Sequence, residues 1–218
     1  IHHRLVGSEM CIRDSKNISK NINEIIRNNL TRSGEFKIFG NDDLISNPSD
    51  ETEVIFNDFK ILDIDYLILG KIIEEGAGIS VIYEIYDINK SKKIRTSTVF
   101  GIPNKNRQLS HYISDGIYEE ITGIKGISST KILYVTEKDN FNLVIADADG
   151  SNEQILLKSN DPIISPSWSP DSKKVAYVSF ETGMAKVYIQ NIATGKRELA
   201  IENSSQISSP SWSPDGKF

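Results

Sequence analysis

Apolar residues recur every three to four positions in some stretches of this chain and every second position in others. From Lys16, the residues Ile18, Ile22, Ile25, Ile26 and Leu30 keep helical spacing. Lys20, Asn21, Glu24, Arg27 and Asn28 fill the other face, and Ser33-Gly34 supplies a stop. Phe36 to Phe39 reads as a short strand. Residues 52–62 carry Val54, Ile55, Phe59 and Leu62 among charges and predict a second helix. Tyr66 to Ile73 is a nearly continuous apolar run of strand length. After the turn signal Gly76-Ala77-Gly78, residues 79–88 alternate as its partner, with Val81, Tyr83, Ile85 and Asp87 on one face. Lys93 to Ile102 is a third strand, rich in β-branched residues. A last helix from Asn104 sets Leu109, Tyr112, Ile113, Ile117, Tyr118 and Ile121 on its apolar side, with Gly123 beyond its end. Residues 16–125 therefore predict an α+β domain, with two or three helices on a mostly antiparallel sheet.

Beyond residue 128 the pattern is a repeat. Ser165-Pro166-Ser167-Trp168-Ser169-Pro170-Asp171-Ser172-Lys173 returns as Ser209-Pro210-Ser211-Trp212-Ser213-Pro214-Asp215-Gly216-Lys217, so that position 165 maps to 209, an offset of 44. Residues 131–135 map to 174–178 at an offset of 43, and Asp149-Gly150 to Thr194-Gly195 at 45. Within one period lie short strands at 165–169, 175–180, 186–192 and 197–201, with hairpin signals between them. Four strands in a period of roughly 40–50 residues are the signature of a propeller blade, so residues 128–218 predict an incomplete all-β propeller of four-stranded blades. An unrelated sandwich with a coincident repeat is the competing reading. The motif has a physical logic. Trp fills space between blades, Pro ends the strand because it cannot donate to the ladder, and Asp-Gly turns the chain.

Residues 1–15 share no pattern with the rest of the chain, and they lack the charged start, apolar core and cleavage site of a signal peptide. Met10-Cys11-Ile12-Arg13-Asp14-Ser15 reads as a translated sequencing adapter, so we expect this segment to be foreign. It holds Cys11, the single cysteine, and two of the three histidines, His2 and His3.

Composition narrows the function. Of 218 residues 38% are hydrophobic and 25% charged, a soluble globular balance. Lys and Arg total 25 against 30 acidic residues, a net charge of −5, which argues against a nucleic-acid partner. No apolar run approaches the roughly 20 residues of a membrane-spanning helix. One cysteine excludes an internal disulfide and a cysteine-based zinc site. Asp63 with Asp65, Glu74-Glu75 and Glu119-Glu120 are paired carboxylates, but each sits at a strand end or on a polar helix face and reads as solvated surface. His111 reads as a partly buried or surface residue. Gly76-Ala77-Gly78 lacks the following helix of a phosphate loop. No catalytic residue, metal or cofactor is expected.

The Ser-Pro-Ser-Trp-Ser-Pro-Asp copies, followed at the first by Lys174-Val175-Ala176-Tyr177-Val178, resemble the propeller repeat of the TolB family. Residues 64–70, Tyr83-Glu84-Ile85-Tyr86-Asp87 and 121–126 are similar to that family's amino-terminal domain. The resemblance implies a non-enzymatic periplasmic scaffold of the Tol-Pal system. Such a scaffold binds the lipoprotein Pal and, through an amino-terminal extension, TolA, and it supports outer-membrane integrity and constriction at cell division. Pal docks in the family on loops leading into the innermost strand of each blade. These match Pro162, Ile163, Ile164 and Ser165, and Gln206, Ile207, Ser208 and Ser209. The alternative is the propeller portion of a prolyl-oligopeptidase-type serine peptidase, whose Gly-x-Ser-x-Gly elbow is not in this sequence.

Overall fold

In the computed structural model, residues 3–7, 16–40, 44–102, 105–202 and 209–217 are described. The chain divides into two compact units, Ile1–Ser129 and Thr130–Phe218.

The first unit holds β1 (His3–Gly7), α1 (Lys16–Arg32), β2 (Phe36–Phe39), α2 (Phe56–Ile61), β3 (Tyr66–Glu75), β4 (Gly78–Asp87), β5 (Lys92–Gly101) and α3 (Asn106–Thr122). Its five strands form one sheet in the order β2-β1-β3-β4-β5. The expected mostly antiparallel sheet is corrected to a mixed one. β3, β4 and β5 form an antiparallel meander, whereas β1 pairs in parallel with both β2 and β3. The cause is β1 itself. It comes from the stretch that the sequence pattern set apart, and α1 carries the chain back to lay β2 beside it as a parallel βαβ crossover.

Strand alternation builds a core on each side of this sheet. Leu5, Ile68, Ile72, Val81, Tyr83 and Ile85 face α1 and α3 and pack on Ile22, Ile26, Leu30, Ile113 and Ile117. Val6, Leu67, Leu69 and Tyr86 point the other way, against Phe59 and Ile64. The helix expected over 52–62 is shorter than its pattern. Asp50 caps a 3-10 turn at Glu51–Glu53, then Val54 and Ile55 are extended, and the helix starts only at Phe56. Two adjacent β-branched residues favour that extended break. On α3, Tyr112 is half exposed rather than packed. Ser110, His111 and Ser114 are buried instead. Asn29 of α1 explains this, because its Nδ2 lies 2.8 Å from His111 Nδ1 and donates to Ser114 Oγ at 3.0 Å. A small polar network thus fills the seam where the two helices meet.

The second unit contains two antiparallel sheets. One has the order β6-β7-β8, from β6 (Lys131–Glu137), β7 (Phe141–Asp147) and β8 (Gln154–Ser159). The other runs β9-β10-β11-β12, from β9 (Ile163–Trp168), β10 (Lys174–Ser179), β11 (Lys186–Asn191) and β12 (Arg197–Ile201). Leu143, Ile163, Val175 and Tyr177 are buried in their shared core, with Leu133, Val135, Leu157, Trp168 and Tyr188 packed around them. Gln190, 2% exposed, ties the sheets with polar atoms: it accepts from the Tyr177 hydroxyl at 3.0 Å and donates to the Leu156 carbonyl at 2.9 Å.

Candidate partner-binding face

The turn of the repeated motif folds the same way twice. Ser172 N donates to Ser169 O and Gly216 N to Ser213 O, each at 2.9 Å, closing a turn around Pro and Asp. Asp171 Oδ1 accepts from the Ser169 hydroxyl at 2.7 Å and from Lys173 N at 3.0 Å. Asp215 repeats this with Ser213 at 2.6 Å and Lys217 N at 3.2 Å. Those bonds, from the serine hydroxyl first and the backbone amide second, hold both carboxyls below their ordinary range. The aspartate of the motif therefore locks the turn through its Oδ1.

Pro166 has no amide hydrogen to give the ladder, and the strand bulges where it sits. Ile164 pairs with Val178 and Ser167 with Ala176, so Ser165 and Pro166 together oppose Tyr177. Ser165 takes up the extra length at φ 51. The bulge turns Ser165 towards the next copy of the motif: Ser209 Oγ lies 3.5 Å from Ser165 Oγ, and Trp212 donates its indole N–H to Ser167 O at 3.2 Å.

Register shows which loops share an end with these residues. Ile163 pairs with Ser179, and Phe180 N donates to Pro162 O at 3.1 Å, so the segment before β9 and the β10–β11 hairpin lie together. In the neighbouring sheet Phe141 pairs with both Glu137 and Ser159. Asn140 Nδ2 there donates to Asn160 Oδ1 at 2.8 Å. Residues 138–140, 160–162 and 180–185 thus form one continuous rim.

Of the eight candidate contact residues, Pro162 and Ile164 are exposed, Ser165 is half-buried, and Ser209 is exposed beside it. Ile163 is corrected: at 2% exposure it belongs to the core between the sheets, because strand alternation sends it opposite to Ile164. Gln206, Ile207 and Ser208 lie outside the described residues. The pattern did not single out the hairpin at 180–185, since a turn of that length carries no periodic signal.

The paired carboxylates of the first unit have structural partners. Asp65 accepts from Arg4 N at 2.7 Å and from Asn89 Nδ2 at 3.2 Å, Asp63 is ion-paired with Arg4, and Glu120 with Arg95 at 3.0 Å. Among the described residues no helix is long and apolar enough to cross a membrane.

Two family descriptions match in sequence order. The TolB amino-terminal domain fits residues 9–94, and the TolB beta propeller domain fits residues 118–218. The chain belongs to the TolB family. It is 43% identical over 190 residues to the Tol-Pal system protein TolB of Alcanivorax borkumensis, a match covering 84% of this chain and 44% of that protein. The Pseudomonas aeruginosa protein of the same name is 39% identical over 187 residues, 83% of this chain and 43% of that protein. The crystal structure of TolB from Acinetobacter baumannii superposes with a TM-score of 0.88 at 32% identity, covering all of this chain and 54% of that one. The chain thus spans less than half the length of the curated relatives it matches.

Proposed function

We propose that this chain is part of a non-enzymatic periplasmic scaffold of the Tol-Pal system, and that its repeat unit receives a Pal-like lipoprotein on the rim that leads into β9. The two sheets are read as blades of a propeller whose further blades lie outside this sequence. β9 is the innermost strand of its blade, and residues 209–212 begin the next. The observation that carries the reading is the contact between successive motif copies, Ser165 beside Ser209 and Trp212 on Ser167. It sets Ser209 beside Ser165 on a sheet that can present both to a folded partner. The family's amino-terminal domain ahead of the repeats supports a scaffold over the peptidase alternative. TolA binding belongs to the same reading and would use an amino-terminal extension.

The test is a titration of the complete protein with the soluble domain of the Pal-like lipoprotein from the same genome, followed by calorimetry. A saturable one-to-one complex is expected, with no cleavage of peptide substrates. Absence of binding at high micromolar concentration, or robust peptide hydrolysis, overturns the proposal.

A further inference from the structure

We infer that Met184, at the tip of the β10–β11 hairpin, is an apolar anchor for the lipoprotein partner; the inference rests on the proposed function and adds a contact outside the loops that lead into the inner strand. Met184 is 68% exposed, more than Ile132, Ile155, Ile164, Leu199 or Ile201 of the same unit. An unbranched thioether side chain left in water at a hairpin tip gains from burial against a partner and adapts to its shape. Its position is what gives this meaning. The hairpin base is bonded to the candidate segment through Phe180 N and Pro162 O, so a body seated on Pro162 and Ile164 meets the hairpin as well. The tip is also held in place. Gly183 N donates to Phe180 O at 2.8 Å, and Glu181 at the base receives both 3.0 and 3.1 Å bonds from Arg197 Nη2. Arg197 in turn lies over the Tyr188 ring at 4.4 Å. A rigid stem therefore presents a flexible apolar tip. The corresponding turn of the neighbouring sheet, Lys138-Asp139-Asn140, is polar, so the rim offers its apolar tip at one hairpin only among these two.

The experiment measures affinity of the complete protein for the purified soluble domain of the Pal-like lipoprotein in three variants: Met184→Ala, Met184→Glu and Ile155→Glu. Ile155 is 59% exposed but lies at the start of β8, at the opposite end of its sheet from the rim. We expect Met184→Ala to weaken binding severalfold and Met184→Glu by about tenfold or more, the effect typical of a desolvated anchor. Ile155→Glu should bind as wild type, and all three should melt at the wild-type temperature. Wild-type affinity for Met184→Glu overturns the inference while leaving the proposed function standing. Equal weakening by Ile155→Glu overturns it too, as a general charge effect. If the wild-type protein does not bind, the proposed function falls and this inference with it.

Discussion

The indole of Trp212 donates a hydrogen bond to the carbonyl oxygen of Ser167, a residue 45 positions earlier in the chain and next to the first Trp of the repeat. The second motif copy thus anchors itself on the backbone of the first. The Trp is more than filler, because its polar edge is bonded to the backbone of β9. Replacing it with Phe keeps most of the apolar contact and removes the bond. We expect Trp212→Phe to lower stability by about 0.5–1.5 kcal/mol in urea unfolding. An unchanged midpoint would mean that the indole N–H does nothing for the stack.

The two turn copies differ at one position, Ser172 against Gly216, and both sit in the left-handed region at φ 57 and 70. A Cβ raises the energy of that conformation. Ser172→Gly should therefore stabilise the protein by about 1 kcal/mol, the left-handed strain less the entropy of a freer unfolded chain, and Gly216→Ser should do the reverse. Thermal unfolding of the pair decides it: a lower melting temperature for Ser172→Gly contradicts the turn geometry.

Gln190 satisfies Tyr177 and Leu156 at once, inside the core of the second unit. Gln190→Leu fills similar space but strands a buried hydroxyl and a carbonyl, with an expected loss of roughly 1–3 kcal/mol for each group left unpaired. Urea unfolding with an unaltered midpoint would show that water takes over both bonds.

Burial pushes the Tyr177 hydroxyl up to about 12, against the lowering pull of the nearby Arg197 guanidinium. The folded form therefore holds this proton more tightly than the unfolded chain, whose tyrosines titrate near 10. Its contribution to stability is fully present below about pH 10 and is lost as pH rises through about 12. Tyr177→Phe should flatten that part of the alkaline stability profile, and an identical slope in the variant would exclude Tyr177 as its source.

Asp115 on α3 accepts from Ser128 N at 2.6 Å and Ser129 N at 2.9 Å, which straps the segment after α3 to the helix. Gly126 makes the close approach possible, since a Cβ there would come within 2.5 Å of Asp115 Cα. Gly126→Ala should cost about 1–3 kcal/mol by overpacking. Asp115→Ala should instead speed hydrogen exchange at the two serine amides while sparing the sheet. Slow exchange at both amides in Asp115→Ala would assign their protection to something else.

Much of this architecture is legible in the amino acids. β2 falls on Phe36–Phe39, the strand pairing of residues 66–87 follows the apolar run and its alternating partner, and the 44-residue period marks out two turns of identical construction. The parallel strand at His3–Gly7 was not legible, because residues 1–15 read as foreign and the adjacent apolar pair Leu5 and Val6, which face different cores, shows no alternation. The buried side of α3 departs from its pattern at Tyr112 for a related reason. Apolar spacing alone cannot register that Asn29 offers hydrogen bonds to His111 and Ser114. At the candidate face, the motif pointed to the segments before the inner strands, yet the alternation of β9 divides Ile163 from Ile164. Met184 stayed invisible because one exposed residue in a hairpin makes no pattern.

The proline of the bulge has an effect on growth as well as on shape. β9 lies at the edge of its sheet, and at Pro166 that strand has no hydrogen to offer an incoming chain, while Ser165 bends the row of acceptors out of line. A stray extended segment therefore finds a broken template instead of a straight one. The second copy of the motif carries the same residue at Pro210, so the terminator travels with the repeat and guards the edge at which one sheet meets the next copy.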